Sequence, residues 1–413
     1  MGFVGAVGDL ALMQAGALLA LMSPSSIGSI QLRNRFIRSA TSETLAGNDG
    51  AVADAYREFH VTLARGGVGL IITGHCYVLE AGKYSDRQTG IHTDSMVRGL
   101  ASVTDAVHRA GAPIFAQLNH AGSQSRVSTA ERIAPSPIVN PQTGRLPREA
   151  SELQIKEVIE AFGSAGRRAR DAGFDGVHIH AGHGYLLSEF LSPYTNRRDD
   201  RWGGSLGNRQ RILVETIRAV RSAVGVDYPV TVKLGIKDFV DGGLALKDGV
   251  ATAERIDSLG VAAVEVSAGL TTPRIESVVQ YAGLTRRRAL EDKLFHRVIA
   301  QPREQGYFLR EIRAVKRAVR CPVIAVGGLR SVEFMESIVA RADADFVSLA
   351  RPFIREPDLV NQIAQGRRGL VDCTSCNICQ QHDGVHSLRC WRKTNARLAM
   401  HALYKLMNHT NHT

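Results

Sequence analysis

Eight short β-rich segments recur along the chain, and spacers of helix length separate them. Several spacers carry apolar residues at helical spacing, for example residues 153–172 and 208–224. Alternating strands and helices favour a parallel sheet, and eight repeats predict a (β/α)8 TIM barrel, an α/β fold, rather than an open doubly wound sheet. No Gly-x-Gly-x-x-Gly opens a helix after the first segment, as a dinucleotide-binding fold would require. The segments are residues 36–40, 69–74, 113–119, 176–181, 229–235, 262–268, 322–327 and 345–350.

The barrel is expected to occupy residues 23–365, and residues 23–35 predict a small hairpin that caps it ahead of the first strand. Residues 1–22 are interpreted as an N-terminal extension, because no Lys or Arg precedes Arg33 and a secretory signal needs a basic start. Residues 366–413 are expected to form a short Cys-rich, basic C-terminal extension, in which residues 388–407 predict an amphipathic helix. The long connection 270–308 is interpreted as a solvated loop or lid.

The amino-acid composition indicates which classes of ligand or partner the chain is suited to bind. Lys and Arg number 51 against 40 Asp and Glu, a net charge of +11 that favours anionic ligands such as phosphates, nucleotides or coenzyme A esters. Basic and aromatic residues are not interleaved as in a nucleic-acid reader, so nucleic acid is not expected as a partner, and membrane contact is not expected either. The cysteines indicate a reducing, cytoplasmic compartment. The sequence leaves open whether the chain forms a homo-oligomer.

Two histidines and a tyrosine follow the fourth segment within six positions. Residues 176–181 alternate at the period of a strand, and the Ala181-Gly182 pair then lets the backbone turn. We therefore expect His180, His183 and Tyr185 at the carboxyl end of a barrel strand, where parallel barrels place their catalytic groups. One such histidine is more often structural, but three polar groups together favour an active site.

Other segments end in, or carry, groups suited to a phosphorylated cofactor. Barrels often bind phosphate after the seventh and eighth strands, where backbone N–H groups of glycines and a cation converge. A lysine on an inner strand needs a partner, so a structural ion pair is the alternative to a cofactor role. An inward amide both donates and accepts hydrogen bonds. These groups are the Gly327-Gly328 pair, Ala350-Arg351, Lys233 of VTVKLG and Gln117 of FAQLNHAG.

Across roughly residues 22–365, these motifs together with RFIRSATS and IITGH resemble the Old Yellow Enzyme family of FMN-dependent ene reductases. The resemblance implies that His180 and His183 bind the carbonyl oxygen of a substrate and that Tyr185 donates a proton. Ser42 stands where the family commonly has Thr or Cys, which implies a different flavin potential. By the same resemblance, FMN is bound by Ser39, Ala40, Thr41, Gly74, Gln117, Lys233, Gly327, Gly328, Ala350 and Arg351.

The implied activity is reduction of the C=C bond of an α,β-unsaturated carbonyl compound, with NADH or NADPH as the reductant. Hydride passes from flavin N5 to the β-carbon, and Tyr185 protonates the α-carbon. A second enzyme hypothesis is an iron–sulfur flavoprotein that reduces an enoyl- or dienoyl-CoA and is fed by an electron-transfer protein. A cofactor-free binding or scaffold barrel is disfavoured, because it has no need of so many inward polar groups.

Four cysteines crowd into the C-terminal extension. Cys373, Cys376 and Cys379 form C-x2-C-x2-C, and Cys390 follows. Consecutive x2 gaps suit an iron–sulfur cube better than the two separate knuckles of a zinc site. The arrangement resembles the 4Fe-4S site of the 2,4-dienoyl-CoA reductase and trimethylamine dehydrogenase branch. Zinc, assisted by His382 or His386, and free thiols remain the alternatives.

Overall fold

The computed structural model describes residues 20–128, 131–141, 143–270 and 305–409. Within these ranges eight parallel strands close into a barrel, and each strand pairs with the barrel strands that precede and follow it along the chain. The predicted (β/α)8 barrel is therefore confirmed, with strand ends that differ from the predicted ones by up to three residues. The strands are β1 (Ser25–Ile27), β2 (Ile30–Leu32), β3 (Phe36–Arg38), β4 (Leu70–Tyr77), β5 (Ile114–Asn119), β6 (Ile133–Ala134), β7 (Arg148–Glu149), β8 (Gly176–Ala181), β9 (Val230–Gly235), β10 (Ala263–Ser267), β11 (Val323–Val326) and β12 (Phe346–Leu349).

Helices follow the barrel strands, and local sequence explains where the longest begin. Helix α3 starts with a capping box, in which Ser151 Oγ accepts from Gln154 N–H and Gln154 Oε1 accepts from Ser151 N–H. Helix α5 is capped by the Ser205 side chain and ends at Gly225, whose φ of 91° suits glycine. The helices are α1 (Asp54–Arg65), α2 (Val97–Arg109), α3 (Glu152–Asp171), α4 (Leu186–Leu191), α5 (Leu206–Val224), α6 (Leu246–Asp257), α7 (Leu309–Ala318), α8 (Val332–Ala340), α9 (Arg351–Arg355), α10 (Leu359–Ala364), α11 (Ile378–Gln381) and α12 (Asn395–His409).

The β1–β2 hairpin closes the amino-terminal end of the barrel, as expected of residues 23–35. Ile27 and Leu32 of the hairpin pack with inward residues of the barrel strands in one buried apolar cluster. Phe115 and Phe346 are the largest barrel side chains in this cluster, and both are fully buried. The floor of the barrel is thus an apolar core, which leaves the opposite end for polar groups.

The C-terminal extension folds back against the barrel. The predicted helix 388–407 begins later than expected, at Asn395, because residues 390–394 form coil and turn and Thr394 caps the helix by accepting from the Arg397 N–H. Earlier in the extension, Leu388 N–H donates to Glu43 O at 2.8 Å. No helix within the described ranges is both long and apolar enough to cross a membrane. Residues 1–19 and most of the connection 270–308 lie outside the described residues.

Candidate active site

A cavity of about 560 Å³ opens at the carboxyl end of the barrel strands. Because side chains alternate along each strand, residues two apart on one strand share the barrel interior, and the last inward residue of each reaches this end. The cavity brings together twelve of the thirteen residues predicted for catalysis and FMN binding. These are Ser39, Ala40, Thr41, Gln117, His180, His183, Tyr185, Lys233, Gly327, Gly328, Ala350 and Arg351, and Ser42 lines it with them.

His180, His183 and Tyr185 form one group on the wall after β8. The imidazole of His180 lies edge to face with the His183 ring at 5.0 Å and with the Tyr185 ring at 4.9 Å between centroids. Nδ1 of His180 accepts from the Gly182 N–H at 3.3 Å, which leaves its Nε2 to carry the proton. Nε2 of His183 lies 2.7 Å from Ser267 Oγ. Both rings are therefore oriented by short-range hydrogen bonds and not only by packing.

The protonation states of these three groups follow from their burial. Desolvation lowers the pKa of His180 well below its ordinary value, and the neighbouring His183 and Lys233 lower it further. Desolvation, followed by Lys233, lowers the pKa of His183 to about 3. Burial and then the Asp383 carboxylate raise the pKa of Tyr185 above its usual range. At neutral pH the site therefore holds two neutral imidazoles and one protonated phenol.

Lys233 lies beside His180 in the register of β8 and β9 and belongs to a buried network of charges. Its Nζ is 2.9 Å from Glu265 Oε2 and donates to Ser39 Oγ at 3.0 Å, and Ser39 Oγ donates to Glu265 Oε1 at 2.7 Å. His178 Nε2 lies 3.0 Å from Glu265 Oε2. Burial would raise the pKa of Glu265, but Lys233 and then His178 lower it below its ordinary value. The ion pair weighed as an alternative is present, and Lys233 lines the cavity as well.

Sequence reasoning missed Glu265, the ion-pair partner of Lys233, and His178, which contacts Glu265 in turn. A single acid within the apolar segment 262–268 was the available signal, since an unpaired carboxylate inside a barrel is costly.

Gln117 and the paired glycines present polar groups along the wall of the cavity. The Nε2 of Gln117 is buried and has no hydrogen-bond partner within the described ranges. Gly327 and Gly328 have φ of 111° and 67°, and a Cβ on either would lie 2.7 Å from the Tyr307 ring. Only glycine fits this turn, because the Tyr307 ring packs against it, and both glycines line the cavity after β11. Arg351 Nη1 donates to Asn377 Oδ1 across the same end.

Gly74 is the predicted site residue that does not line the cavity. Its N–H donates to Glu43 Oε1 at 2.8 Å, and a Cβ there would lie 2.3 Å from Glu43 Oε2. The β4–β5 register shifts between Ile72 and His75, and the neighbouring His75 lines the cavity instead. Gly74 therefore packs behind the segment that carries Thr41, and its predicted contact with a flavin ring remains a prediction.

His75 extends the wall that His180, His183 and Tyr185 form beyond the residues found from sequence. Its ring lies 5.3 Å from that of Tyr185 and 5.4 Å from that of Tyr84. Gln88 Nε2 donates to the carbonyl of His75 and lies 2.7 Å from its Nδ1. Since an amide nitrogen donates, Nδ1 of His75 accepts and Nε2 carries its proton. Burial lowers the pKa of His75, so this ring is neutral too.

The C-terminal extension supplies another wall of the cavity, through Gln380, Asp383 and Leu388. Tyr84 Oη donates to Asp383 Oδ2 at 3.2 Å, and Arg126 donates to the Asp383 carbonyl at 2.8 Å. Sequence spacing could not reveal these contacts, because almost 300 residues separate Tyr84 from Asp383.

The four cysteines of the extension line a second cavity, of about 200 Å³. Arg351, Ile354 and Cys379 line both cavities, so the two share a wall. Within the described ranges, no group of three His, Cys, Asp or Glu side chains is arranged to hold a single metal ion. His382 does not line the cavity either, since its ring lies within 3.0 Å of His386 and stacks on Trp391 at 3.8 Å. The cysteines line the cavity with Arg355, Asp372, Thr374, Asn377, Ile378, Trp391 and Arg392.

A closed (β/α)8 barrel with hydrogen-bonding and titratable groups converging at its carboxyl end has the architecture of a barrel enzyme. Residues 20–369 match the NADH:flavin oxidoreductase / NADH oxidase family, and the chain belongs to that family. The resemblance to the Old Yellow Enzymes and the predicted enzyme class, a flavin oxidoreductase, are thereby confirmed.

Three similar proteins show how the chain relates to the family. An NADH oxidase of Thermoanaerobacter brockii is 37% identical over 363 residues, which cover 87% of this chain and 53% of that enzyme. A 2-naphthoyl-CoA reductase complex has a TM-score of 0.81 at 26% identity, over 93% of this chain and 58% of that one. An Old Yellow Enzyme homologue from Zymomonas mobilis has a TM-score of 0.71 at 25% identity, over 86% and 96%. The chain thus spans about half the length of the first two relatives.

Proposed function

We propose that the protein binds FMN in the large cavity and uses NADH or NADPH to reduce the C=C bond of an α,β-unsaturated carbonyl compound. The observation that carries this proposal is the arrangement of two neutral imidazoles and a protonated phenol on one wall of the cavity. Lys233 and Gln117 line the same cavity, as the pyrimidine edge of a flavin requires.

The residues present fit FMN. Gln117 Nε2 and Ser348 Oγ are buried without partners in the described part of the chain, and both line the cavity. Such groups cost about 1–3 kcal/mol each when unsatisfied, so a ligand that accepts and donates along this wall is stabilised by them. Lys233 has three N–H bonds and uses two of them within the protein, which leaves one for an anionic ring edge. The open backbone at the Gly327-Gly328 turn and the Arg351 cation suit the phosphate.

When bound, FMN supplies the hydride that is transferred to the β-carbon of the alkene. His180 Nε2–H donates a hydrogen bond to the substrate carbonyl oxygen, where negative charge develops. His183 donates to the same oxygen through its Nδ1–H if the Ser267 hydroxyl donates to Nε2, as their 2.7 Å separation permits. Neutral donors that are already oriented stabilise an enolate without reorganising, which is the main source of rate enhancement in such sites.

Tyr185 delivers the proton that completes the reduction. Its raised pKa keeps the phenol protonated until a strongly basic carbon forms, and positioned general acids contribute about 10²- to 10⁴-fold. The proton moves from Tyr185 Oη to the α-carbon, which leaves a phenolate that solvent must reprotonate.

A second candidate function follows from the Cys-lined cavity. Four thiols around one space of about 200 Å³, with three arginines on its wall, fit a 4Fe-4S cluster held by Cys373, Cys376, Cys379 and Cys390. The cluster would add one-electron transfer beside the flavin site. In that case the substrate is an enoyl- or dienoyl-CoA, and an electron-transfer partner supplies the electrons. The net charge of +11 suits an acyl-CoA, and a neighbour in structure is a 2-naphthoyl-CoA reductase.

The visible spectrum of anaerobically purified protein tests both candidates. A flavin spectrum that NADPH bleaches and that an unsaturated ketone restores supports the self-contained ene reductase. A flavin spectrum over a broad brown absorbance, with four irons per chain, supports the cluster-bearing enzyme. Zinc or metal-free thiols would remove the second candidate, and a colourless protein that cannot be loaded with FMN would remove both.

Binding of phenols tests the histidine pair separately, since a phenolate mimics the enolate oxygen. We expect His180→Ala to weaken binding of a para-substituted phenol to the FMN-loaded protein by about 10-fold or more. Titration of the flavin absorbance with the phenol measures this affinity. Unchanged affinity would show that the pair does not bind the substrate oxygen.

A further inference from the structure

Arg330 lies between the two cavities and was not among the residues found from sequence. It follows the Gly327-Gly328 turn, lines the large cavity and is only 3% exposed. Its backbone is fixed on both sides, because its N–H donates to Gln305 Oε1 at 3.0 Å and its carbonyl accepts from Val371 N–H at 2.8 Å. The backbone from which this side chain extends is therefore fixed.

The guanidinium has one edge that is used and one that is not. Its Nε donates to Ser375 Oγ and its Nη1 to the Leu329 carbonyl, each at 2.7 Å. Its Nη2 is buried and has no hydrogen-bond partner within the described ranges. Within the described ranges, no carboxylate oxygen lies within 4.0 Å of a guanidinium nitrogen of Arg330. Arg330 is thus a buried cation that has no ion-pair partner among the described carboxylates and one N–H edge without a hydrogen bond.

A buried, unpaired guanidinium is unfavourable, because desolvation of an ion costs several kcal/mol unless an anion compensates it. Burial lowers the pKa of Arg330, and the neighbouring Arg351 lowers it further, yet an arginine does not lose its proton in a protein. Two cations and an open glycine turn at one end of a cavity constitute a site for a dianion such as a phosphate monoester.

Ser375, the residue that accepts from Nε of Arg330, belongs to the cysteine motif. It lies between Cys373 and Cys376, is 1% exposed and has a φ of 57°. Its position therefore fixes the loop that carries the first two thiols. A single guanidinium contacts this loop through one edge and lines the proposed phosphate end of the large cavity.

We propose that Arg330 couples the two cavities: it binds the phosphate group of FMN through Nη2 and holds the cysteine loop through Nε and Ser375. Occupation of the phosphate site then orders the cysteine loop, and an ordered loop strengthens phosphate binding by the same factor, since coupling between two sites is reciprocal. The inference rests on the proposed function, because it requires FMN in the large cavity.

FMN and riboflavin, which differ by the phosphate alone, test the first half. We expect Arg330→Gln in the flavin-free full chain to weaken FMN binding by about 10- to 100-fold and to leave riboflavin binding unchanged. Arg355→Gln is the matched control, since Arg355 lines only the cysteine cavity, and it should leave FMN affinity unchanged. Quenching of flavin fluorescence measures each affinity, and thermal melting confirms folding.

Alkylation of the cysteines tests the second half. In the metal-free full chain, FMN should slow iodoacetamide labelling of Cys373 and Cys376 by about 5-fold or more, and riboflavin should not. Ser375→Ala should lose this protection and, by reciprocity, weaken FMN binding by about the same factor that the protection loses. Arg330→Lys, which keeps the charge without the planar fork, should lose the protection as well.

The outcomes separate the inference from the function on which it rests. If the wild-type chain binds neither flavin, the proposed function fails. If it binds FMN and Arg330→Gln changes the FMN and riboflavin affinities equally, Arg330 does not bind the phosphate and the inference is wrong. If FMN protects the cysteines equally in Ser375→Ala, the two cavities are not coupled through this contact, and the inference is again wrong.

Discussion

The two ends of the barrel interior are built from the same strands but from different kinds of side chain. At the end closed by the hairpin, inward residues are apolar and pack in one cluster. Two positions further along the same strands, inward residues are polar or charged and line or support the large cavity. Three strands show this directly, with the pairs Phe115 and Gln117 on β5, Ala263 and Glu265 on β10, and Phe346 and Ser348 on β12.

Along each of these strands, the residue at the floor therefore contributes mainly to stability, and the residue two positions further on is available to a ligand. A buried aromatic side chain stabilises the fold by about 1.5–3 kcal/mol through removal of its surface from water. A buried amide N–H or hydroxyl that has no partner within the described ranges, such as Gln117 Nε2 or Ser348 Oγ, instead destabilises the protein unless a ligand satisfies it. The apolar floor therefore supplies stability to the barrel. The opposite end, called the mouth here, lines the large cavity and can bind ligands, but it contributes less to stability.

The largest effect is expected from Tyr185→Phe at the mouth. Loss of the phenolic proton should slow re-oxidation of the reduced enzyme by an unsaturated ketone by about 10²- to 10⁴-fold. Reduction of the flavin by NADPH needs no such proton and should keep its rate, and the free energy of unfolding should change little. Stopped-flow absorbance measures the two half-reactions separately. Equal losses in both would show that Tyr185 is not the proton donor.

A matched pair on β12 compares floor and mouth directly. Phe346→Ala should lower the free energy of unfolding by about 3–5 kcal/mol, because it leaves a cavity in the floor. Ser348→Ala removes a hydroxyl that has no partner within the described residues, so stability should stay within about 0.5 kcal/mol or rise. Urea unfolding of the flavin-free proteins measures both. A large loss of stability in Ser348→Ala would contradict the proposed division between the two ends.

Gly74 and His75 are adjacent on β4, yet we expect them to act differently. Gly74→Ala would place a methyl group 2.3 Å from Glu43 Oε2 and 2.5 Å from the Thr41 carbonyl, and should cost about 1–3 kcal/mol of stability. His75→Ala should preserve stability better and change substrate or phenol binding, since its ring lines the cavity beside Tyr185. Thermal melting and phenol titration compare the variants, and the reverse pattern would show that Gly74 acts in ligand binding and that His75 serves mainly the fold.

The pair also shows what the sequence could and could not predict. Period and spacing located all eight barrel strands and the polar groups at their ends, because these depend on local alternation. The register of β4 shifts between Ile72 and His75, and one position of slip exchanges the inward and outward faces. A strand pattern carries no mark of such a shift, so Gly74 was selected and His75 was overlooked.

The other omissions arise from contacts between distant parts of the chain. Asp383 and Ser375 reach the cavity wall and Arg330 only because the C-terminal extension folds back over the barrel mouth. Motif spacing identified the cysteines as a group but gave no indication that their loop contacts Arg330, which follows the Gly327-Gly328 turn. Local patterns therefore sufficed for the barrel and for the grouping of His180, His183 and Tyr185, whereas the junction of the two cavities required the tertiary structure.

The smallest effect concerns the dependence of stability on pH. Burial lowers the pKa of His180 below the value of about 6.5 that it has when unfolded, so below pH 6.5 the unfolded chain takes up a proton that the folded chain does not. Stability is therefore fully present above this pH and falls as the pH decreases towards the folded pKa, by up to about 1.4 kcal/mol per pH unit for this one group. His180→Asn should remove this part of the slope between pH 6.5 and about 5, whereas Phe346→Ala, at the floor, should lower stability equally at every pH. Urea unfolding at a series of pH values measures how the free energy of unfolding of each variant depends on pH. An unchanged slope in His180→Asn would show that His180 accepts a proton in the folded protein and that its ring is not held neutral at the mouth.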